Sequence, residues 1–111
     1  MIDYYTILTQ TIAENTAEFS VELRADCPVY AGHFPGNPIA PGACSIEMVR
    51  ECASIAMQRE LRFAGIKQCK FLRLMKPGST AQISLKWEND RLKATIINEG
   101  EPAVQLNIVV S

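Results

Sequence analysis

The sequence holds one histidine and no pair of cysteines at metal-binding spacing. Its four cysteines are scattered and have only that histidine beside them, which argues against a zinc site. Eleven basic and twelve acidic residues leave a formal net charge of −1, so no basic face for nucleic acid is evident. We therefore expect no metal, no organic cofactor and no nucleic-acid partner.

Long hydrophobic runs are also missing. No segment approaches the roughly 18 uninterrupted apolar residues that cross a membrane, and the start of the chain lacks the basic residues and apolar run of a signal peptide. We expect a cytoplasmic protein with no membrane partner, whose thiols are reduced and mostly buried. Its 111 residues, 48% hydrophobic and 21% charged, predict one globular domain spanning residues 1–111.

Apolar and polar residues alternate along much of the chain, which is typical of half-buried strands. Tight turns are predicted at 89–90 and 98–100. The resulting α+β architecture is an antiparallel sheet with one apolar face, on which a single helix lies. The predicted elements are strands at 6–12, 17–24, 66–75, 81–87, 92–96 and 104–110, and one helix at 43–58.

The predicted helix is apolar around most of its circumference. Such a helix is usually buried by more than one neighbour. One sheet covers one side only, so we expect a second copy of the chain to cover the rest, in a homodimer or a higher homo-oligomer.

The segment 27–42 has four prolines and three glycines, which predicts an ordered loop. It contains the only histidine, His33, and Glu47 follows fourteen residues later in the predicted helix. A neutral imidazole accepts a proton near pH 7, and a protonated carboxyl group donates one. Pro41 suits a first helical position, where backbone N–H groups are exposed. Base, acid and amide donor are the parts needed to eliminate water from a hydroxyl next to a carbonyl.

The motif His33-Phe34-Pro35-Gly36, followed by Pro38-Ile39, Pro41-Gly42 and Glu47, resembles the signature of the 3-hydroxyacyl-[acyl-carrier-protein] dehydratases of fatty-acid synthesis. The similarity continues at 63–66, 70–73 and 76–78, and it covers about residues 17–110. It implies the hot-dog fold, in which a curved antiparallel sheet wraps around one central helix. It also implies active sites at a subunit interface and a substrate linked through phosphopantetheine to acyl carrier protein.

The same resemblance implies a role for each motif residue. His33 would remove the α-proton of the 3-hydroxyacyl thioester, and Glu47 of the partner subunit would protonate the departing hydroxyl. The N–H of Gly42 would hold the thioester carbonyl, where one donor typically contributes about 3–4 kcal/mol. The carbonyl of Ile39 would fix the tautomer of His33. The residues expected to bind substrate are Phe34, Ile39 and Ala43.

Simpler interpretations stay open. His33 could be an ordinary surface residue, and Glu47 lies in a polar arc of the helix that could simply face water. To act as an acid, Glu47 must be desolvated enough to raise its pKa. Arg73 could orient the phosphopantetheine arm or be an ordinary exposed arginine, and the methionines 48, 57 and 75 fit a core better than an acyl tunnel.

Two other functions compete with dehydration. In a hot-dog acyl thioesterase, Glu47 would activate water to cleave the thioester, but hydrolysis does not need His33. A non-catalytic acyl-binding subunit would not need to retain both residues. The chain also departs from the fatty-acid pattern, with small residues at 40 and at 43–45 that could widen the pocket. Short hot-dog dehydratases serve specialised pathways such as aryl polyene assembly, and this chain resembles them in length.

Overall fold

The structure, a computed structural model, describes residues 4–25 and 42–111, and only the backbone of Ala43. The loop motif with His33, Phe34 and Ile39 therefore lies outside the described residues. The elements in chain order are β1 (Tyr5–Ile12), β2 (Thr16–Leu23), α1 (Gly42–Met57), β3 (Phe63–Phe71), β4 (Thr80–Glu88), β5 (Arg91–Asn98) and β6 (Glu101–Val110).

The six strands form one sheet in the order β1-β2-β4-β5-β6-β3, and every neighbouring pair is antiparallel. Strands β1 and β3 are its two edges. The predicted alternation is confirmed on β2, where Ala17, Phe19, Val21 and Leu23 are buried and face the core. Strands β4, β5 and β6 follow the same alternating pattern. The predicted α+β sheet with a helix on its apolar face is thus confirmed.

The helix α1 packs on the apolar face of the sheet, and its buried side chains belong to the same core cluster as those of the strands. Met48, Val49, Cys52 and Ala53 are fully buried. Of the remaining apolar helix residues, Ile55 stays 41% exposed. Within the described residues, no helix is both long enough and apolar enough to span a membrane.

The prediction for β3 was wrong at both ends. The strand begins at Phe63 and ends at Phe71 instead of spanning 66–75. It ends there because the N–H groups of Leu72 and Arg73 both donate to the carbonyl of Ala103, at 2.7 and 3.4 Å, which breaks the regular ladder with β6. Beyond this point the chain turns inward, so that Met75 is buried.

The turns predicted at 89–90 and 98–100 connect consecutive strands, and the second is limited to 99–100 because Asn98 is the last residue of β5. The second has a left-handed backbone at both positions, with φ 53° at Glu99 and 81° at Gly100. Two-residue hairpins of this kind favour Asn-Gly, because asparagine tolerates positive φ better than glutamate does.

We predict that Glu99→Asn raises the free energy of unfolding by about 0.5 kcal/mol, because it relieves the left-handed glutamate. The substitution also removes a 3.8 Å contact with Arg73, which keeps its 2.7 Å ion pair with Glu101. Urea denaturation measures the change. Asp90→Asn is the matched control, since it removes the same charge at a turn position without positive φ. A lower stability for Glu99→Asn alone would contradict the prediction.

Candidate active site

The first residue of α1 is Gly42, the residue expected to offer its N–H to a thioester carbonyl. The first N–H groups of a helix have no intrahelical acceptor and lie at the positive end of the helix dipole. The first turn of α1 carries no acidic side chain that would neutralise this charge. The position is therefore suited to an anionic or polarised oxygen. Its catalytic role remains a prediction.

Glu47 lies five residues further along α1, about 7.5 Å along the helix axis, and forms an ion pair with Arg50. The closest contact joins Arg50 Nη2 to Glu47 Oε1 at 2.6 Å, and Arg50 Nε donates to both carboxylate oxygens at 3.0 and 3.1 Å. The side chain of Glu47 is 38% exposed and that of Arg50 is 24% exposed. Each side chain therefore has a fixed partner on the same helix.

The guanidinium of Arg50 also holds the chain that follows the helix. Arg50 Nη1 donates to the carbonyl of Leu61 at 3.1 Å, and the N–H of Leu61 donates to Ser54 Oγ at 3.1 Å. Leu61 itself is fully buried. The guanidinium of Arg50 thus bonds to Glu47 and to the carbonyl of Leu61 at the same time. A movement of the guanidinium away from Glu47 would also break its bond to Leu61.

These contacts set the protonation state of Glu47. The hydrogen bonds from Arg50 lower the pKa of the Glu47 carboxyl below its usual range, although partial burial opposes this effect. A lowered pKa is the opposite of what a proton donor at neutral pH requires. The expectation of a raised pKa is therefore not met in the single chain, in which Glu47 is a carboxylate.

A pocket of about 460 Å³ lies between β1 and α1, and Arg50 is part of its wall. Across it, the hydroxyl of Tyr5 donates to Glu51 Oε1 at 2.9 Å. Burial and the neighbouring Cys52 and Glu51 raise the pKa of Tyr5 well above its ordinary value, so that this hydroxyl stays protonated. The other wall residues are Ile7, Ser54, Ile55 and Glu60.

Neither Cys52 nor Cys69 is an activated nucleophile. Burial raises the pKa of the Cys52 thiol to about 12, and partial desolvation also raises the pKa of Cys69. Cys44 and Cys52 are buried, as expected, but Cys69 is exposed. Cys44 and Ser45, two of the small residues that could widen the pocket, are both buried, and Cys44 belongs to the core cluster.

Other residues that were considered for a functional role make contacts within the fold instead. Arg73 pairs with Glu101 at 2.7 Å and Glu99 at 3.8 Å, which favours the interpretation as a surface ion pair. Met48 and Met75 are buried in the core cluster. Phe34, Ile39 and His33 lie outside the described residues, as does the side chain of Ala43, so their placement beside Glu47 remains a prediction.

Sequence reasoning missed two contacts at the site. The ring of Phe71 lies against Gly42, and Tyr5 holds Glu51. No local pattern signals either contact, because the partners come from elements far apart in the chain. The spacing of Glu47 and Arg50, three residues apart on one helix, did carry a signal for their pairing.

The family model and two curated relatives that match this sequence are all described as dehydratases. A family model described as ApeI dehydratase matches residues 9–105. The 3-hydroxyacyl-[acyl-carrier-protein] dehydratase FabZ of Latilactobacillus sakei is 36% identical over 87 residues, which cover 68% of this chain and 62% of that protein. The FabZ of Caldicellulosiruptor saccharolyticus is 36% identical over 86 residues, covering 67% and 61%. The matched part of the chain thus spans about three-fifths of the length of these curated relatives.

Solved structures share the fold. The dehydratase heterocomplex ApeI:P from Xenorhabdus doucetiae superposes with a TM-score of 0.86 at 23% identity, covering 95% of this chain and 96% of that one. The PaaI protein of the Escherichia coli phenylacetic acid degradation operon gives a TM-score of 0.70 at 12% identity, covering 96% and 81%. These similarities confirm the hot-dog fold.

We predict that Arg50→Gln raises the pKa of Glu47 and lowers the free energy of unfolding at pH 7 by about 1 kcal/mol, since it removes the ion pair and the bond to Leu61. The folded-state pKa of Glu47 lies below its unfolded value, so the pair contributes stability above the unfolded pKa and loses it as the pH falls through the folded pKa. The variant should therefore lose less stability than the parent on acidification below about pH 4.5.

NMR titration of the Glu47 carboxyl carbon and urea denaturation at several pH values measure these two effects. Arg59→Gln is the control, because it removes an exposed guanidinium from the turn after the same helix. An unchanged Glu47 pKa in Arg50→Gln would show that the pair does not set the protonation state.

Proposed function

Since the chain belongs to the ApeI-like family, we propose that it is a dehydratase that removes water from a 3-hydroxyacyl thioester carried on acyl carrier protein. The product is the trans-2-enoyl thioester of fatty-acid or polyene-type biosynthesis. The observation that carries this proposal is the family match over residues 9–105, which includes His33, Gly42 and Glu47. The position of Gly42 at the first residue of α1 supports it.

The proposed reaction needs one base, one acid and one oxyanion donor. His33 takes the α-proton, and the electron pair of that C–H bond forms the new double bond. Glu47 gives a proton to the 3-hydroxyl as the C–O bond breaks, so that the hydroxyl leaves as water. The N–H of Gly42 holds the thioester oxygen while negative charge develops on it.

The ion pair with Arg50 bears directly on this chemistry. A second protomer packed over the half-exposed Glu47 would desolvate the carboxylate and raise its pKa, against the effect of Arg50. The same burial would exclude bulk water from the reacting groups. A competent acid at Glu47 therefore depends on assembly of the protein.

Exposed apolar side chains on one sheet edge support that assembly. On β3 and the segment after it, Ile66 is 47%, Phe71 53%, Leu72 51% and Leu74 65% exposed. An edge strand also presents unpaired backbone groups, which readily pair with another strand. We propose a homodimer formed through this β3 edge, since an apolar patch on an edge strand marks an interaction surface.

We predict that the protein runs at twice its chain mass of 12.3 kDa in size-exclusion chromatography with light scattering. Ile66→Lys should convert it to a monomer, because a charge would be buried at the β3 edge. Ile12→Lys is the matched control on the opposite edge strand, where Ile12 is 41% exposed. A dimer that survives Ile66→Lys but not Ile12→Lys would place the interface at β1. If the purified chain is a monomer and pairs only with a different hot-dog chain, the assembly is a heterodimer and the proposed homodimer is wrong.

A second function has one observation in its favour. The hydrogen bonds from Arg50 keep Glu47 ionised, which is the form that would activate water in a hot-dog acyl thioesterase, although the lowered pKa also makes it a weaker base. Hydrolysis would release free acid and would leave His33 without a task. The assay described next uses both aliphatic and aryl acyl chains. A cytoplasmic location fits either reaction.

We predict that the protein dehydrates 3-hydroxyacyl thioesters on carrier protein. Mass spectrometry of the loaded carrier measures the loss of water. His33→Ala and Glu47→Gln should each lower the rate by about 100-fold or more, because each removes a proton-transfer group. Glu51→Gln is the matched control, a carboxylate one turn further along the same helix, and should keep the rate within about threefold.

Other results would overturn the proposal. Release of free acid from the thioester, lost in Glu47→Gln but kept in His33→Ala, would establish the thioesterase. Inertness toward both aliphatic and aryl substrates would favour the non-catalytic acyl-binding subunit.

A further inference from the structure

The start of α1 is in contact with the end of β3. A Cβ atom placed on Gly42 would lie 2.9 Å from Cζ of Phe71, 3.2 Å from Cε1 and 3.4 Å from Cε2. The closest of these distances is well inside the 3.5–4.0 Å at which carbon atoms pack. A side chain at position 42 would therefore meet the far end of the Phe71 ring and would have to displace it.

The base of this ring is well anchored. Phe71 pairs with Val104 in the β3–β6 ladder, and the N–H of the next residue, Leu72, donates to the carbonyl of Ala103 at 2.7 Å. The ring itself is 53% exposed. One part of it rests on the helix terminus, and the rest is open in the single chain, within the β3-edge patch through which the dimer is proposed to form.

We propose that Phe71 is a positioning residue whose ring sets the height and direction of the Gly42 N–H. This inference rests on the proposed function, in which that N–H holds the thioester oxygen. Such a donor must lie about 2.7–3.1 Å from the developing oxyanion. Glycine has no side chain with which to fix its own position, so the neighbouring ring supplies the steric stop. Gly42 is thus required by the ring as well as by the approach of substrate.

Substitution of the ring tests this role. Phe71→Leu and Phe71→Ala should lower kcat by about tenfold or more with little change in KM, because a displaced donor weakens binding of the transition state more than that of the substrate. Phe71→Tyr keeps the ring and should retain the parent kcat. Leu8→Ala, at a side chain 51% exposed on the other edge strand, should have no effect. Light scattering checks that each variant keeps the parent's assembly.

A double-mutant cycle separates the ring from the substrate as the reason for glycine. Gly42→Ala keeps the N–H but places a methyl group against the ring. We expect it to lower kcat by about tenfold in the parent and by less than about twofold in the Phe71→Leu background, where the space is free. An equal loss in both backgrounds would overturn the proposal, because it would show that only the substrate requires glycine.

An activity-independent measurement keeps the two proposals apart. The ring of Phe71 should shift the NMR resonances of the Gly42 α-protons, and Phe71→Leu should abolish that shift while Phe71→Tyr keeps it. Amide exchange in the second turn of α1, where the N–H groups bond within the helix, should become faster in Phe71→Leu. Unchanged shifts and exchange would overturn the positioning role whether or not the protein proves to be a dehydratase. A confirmed contact in a protein without dehydratase activity would overturn only the proposed function, and with it the catalytic meaning of the contact.

Discussion

The burial of one face of α1 against the sheet holds both Gly42 and Glu47, because both stand on this helix. A helix of 16 residues is only marginally stable by itself. Here Met48, Val49 and Cys52 are fully buried between helix and sheet, and complete burial of a side chain such as methionine or valine contributes about 1.5–3 kcal/mol. The apolar face therefore fixes the helix, and the helix fixes the positions of the N-terminal amide and the carboxylate.

The polar face of the same helix is equally constrained, with consequences for chemistry. Arg50 joins Glu47 to the buried segment at Leu61, so the carboxylate is held in one place and kept ionised. A fixed carboxylate is useful to either proposed reaction, but its protonation state distinguishes them. An acid needs the protonated form, which requires the desolvation that a second protomer would bring, whereas a base needs the ionised form that Arg50 favours while lowering its basicity. The reaction that Glu47 can support therefore depends on whether a second protomer covers it.

The strands that alternate between a buried and an exposed face could be predicted from the sequence, because that alternation is a local property of half-buried strands. The start and end of α1 were predicted to within one residue. Strand β3 was placed wrongly, since it is an edge strand exposed along most of its length and its residues show no clean alternation.

The candidate site likewise has parts that could be predicted from the sequence and parts that could not. Glu47 and Gly42 were found through a motif, and their places on the helix followed from the predicted element. The contact of Phe71 with Gly42 joins residues 29 positions apart, and that of Tyr5 with Glu51 joins residues 46 positions apart. Such contacts depend on how the sheet curves over the helix, which no local pattern encodes. The sign of the Glu47 pKa shift has a different origin, since it follows from a local ion pair whose three-residue spacing was visible in the sequence.

The central claim is that the imidazole of one protomer and the carboxyl group of another form a single active site. The most direct measurement mixes two inactive variants, His33→Ala and Glu47→Gln, under conditions in which protomers exchange. A shared site predicts about one quarter of the parent dehydratase activity at equal mixing, since half of the dimers are mixed and each mixed dimer has one intact site. No recovery of activity in a mixture shown to contain mixed dimers would contradict the account.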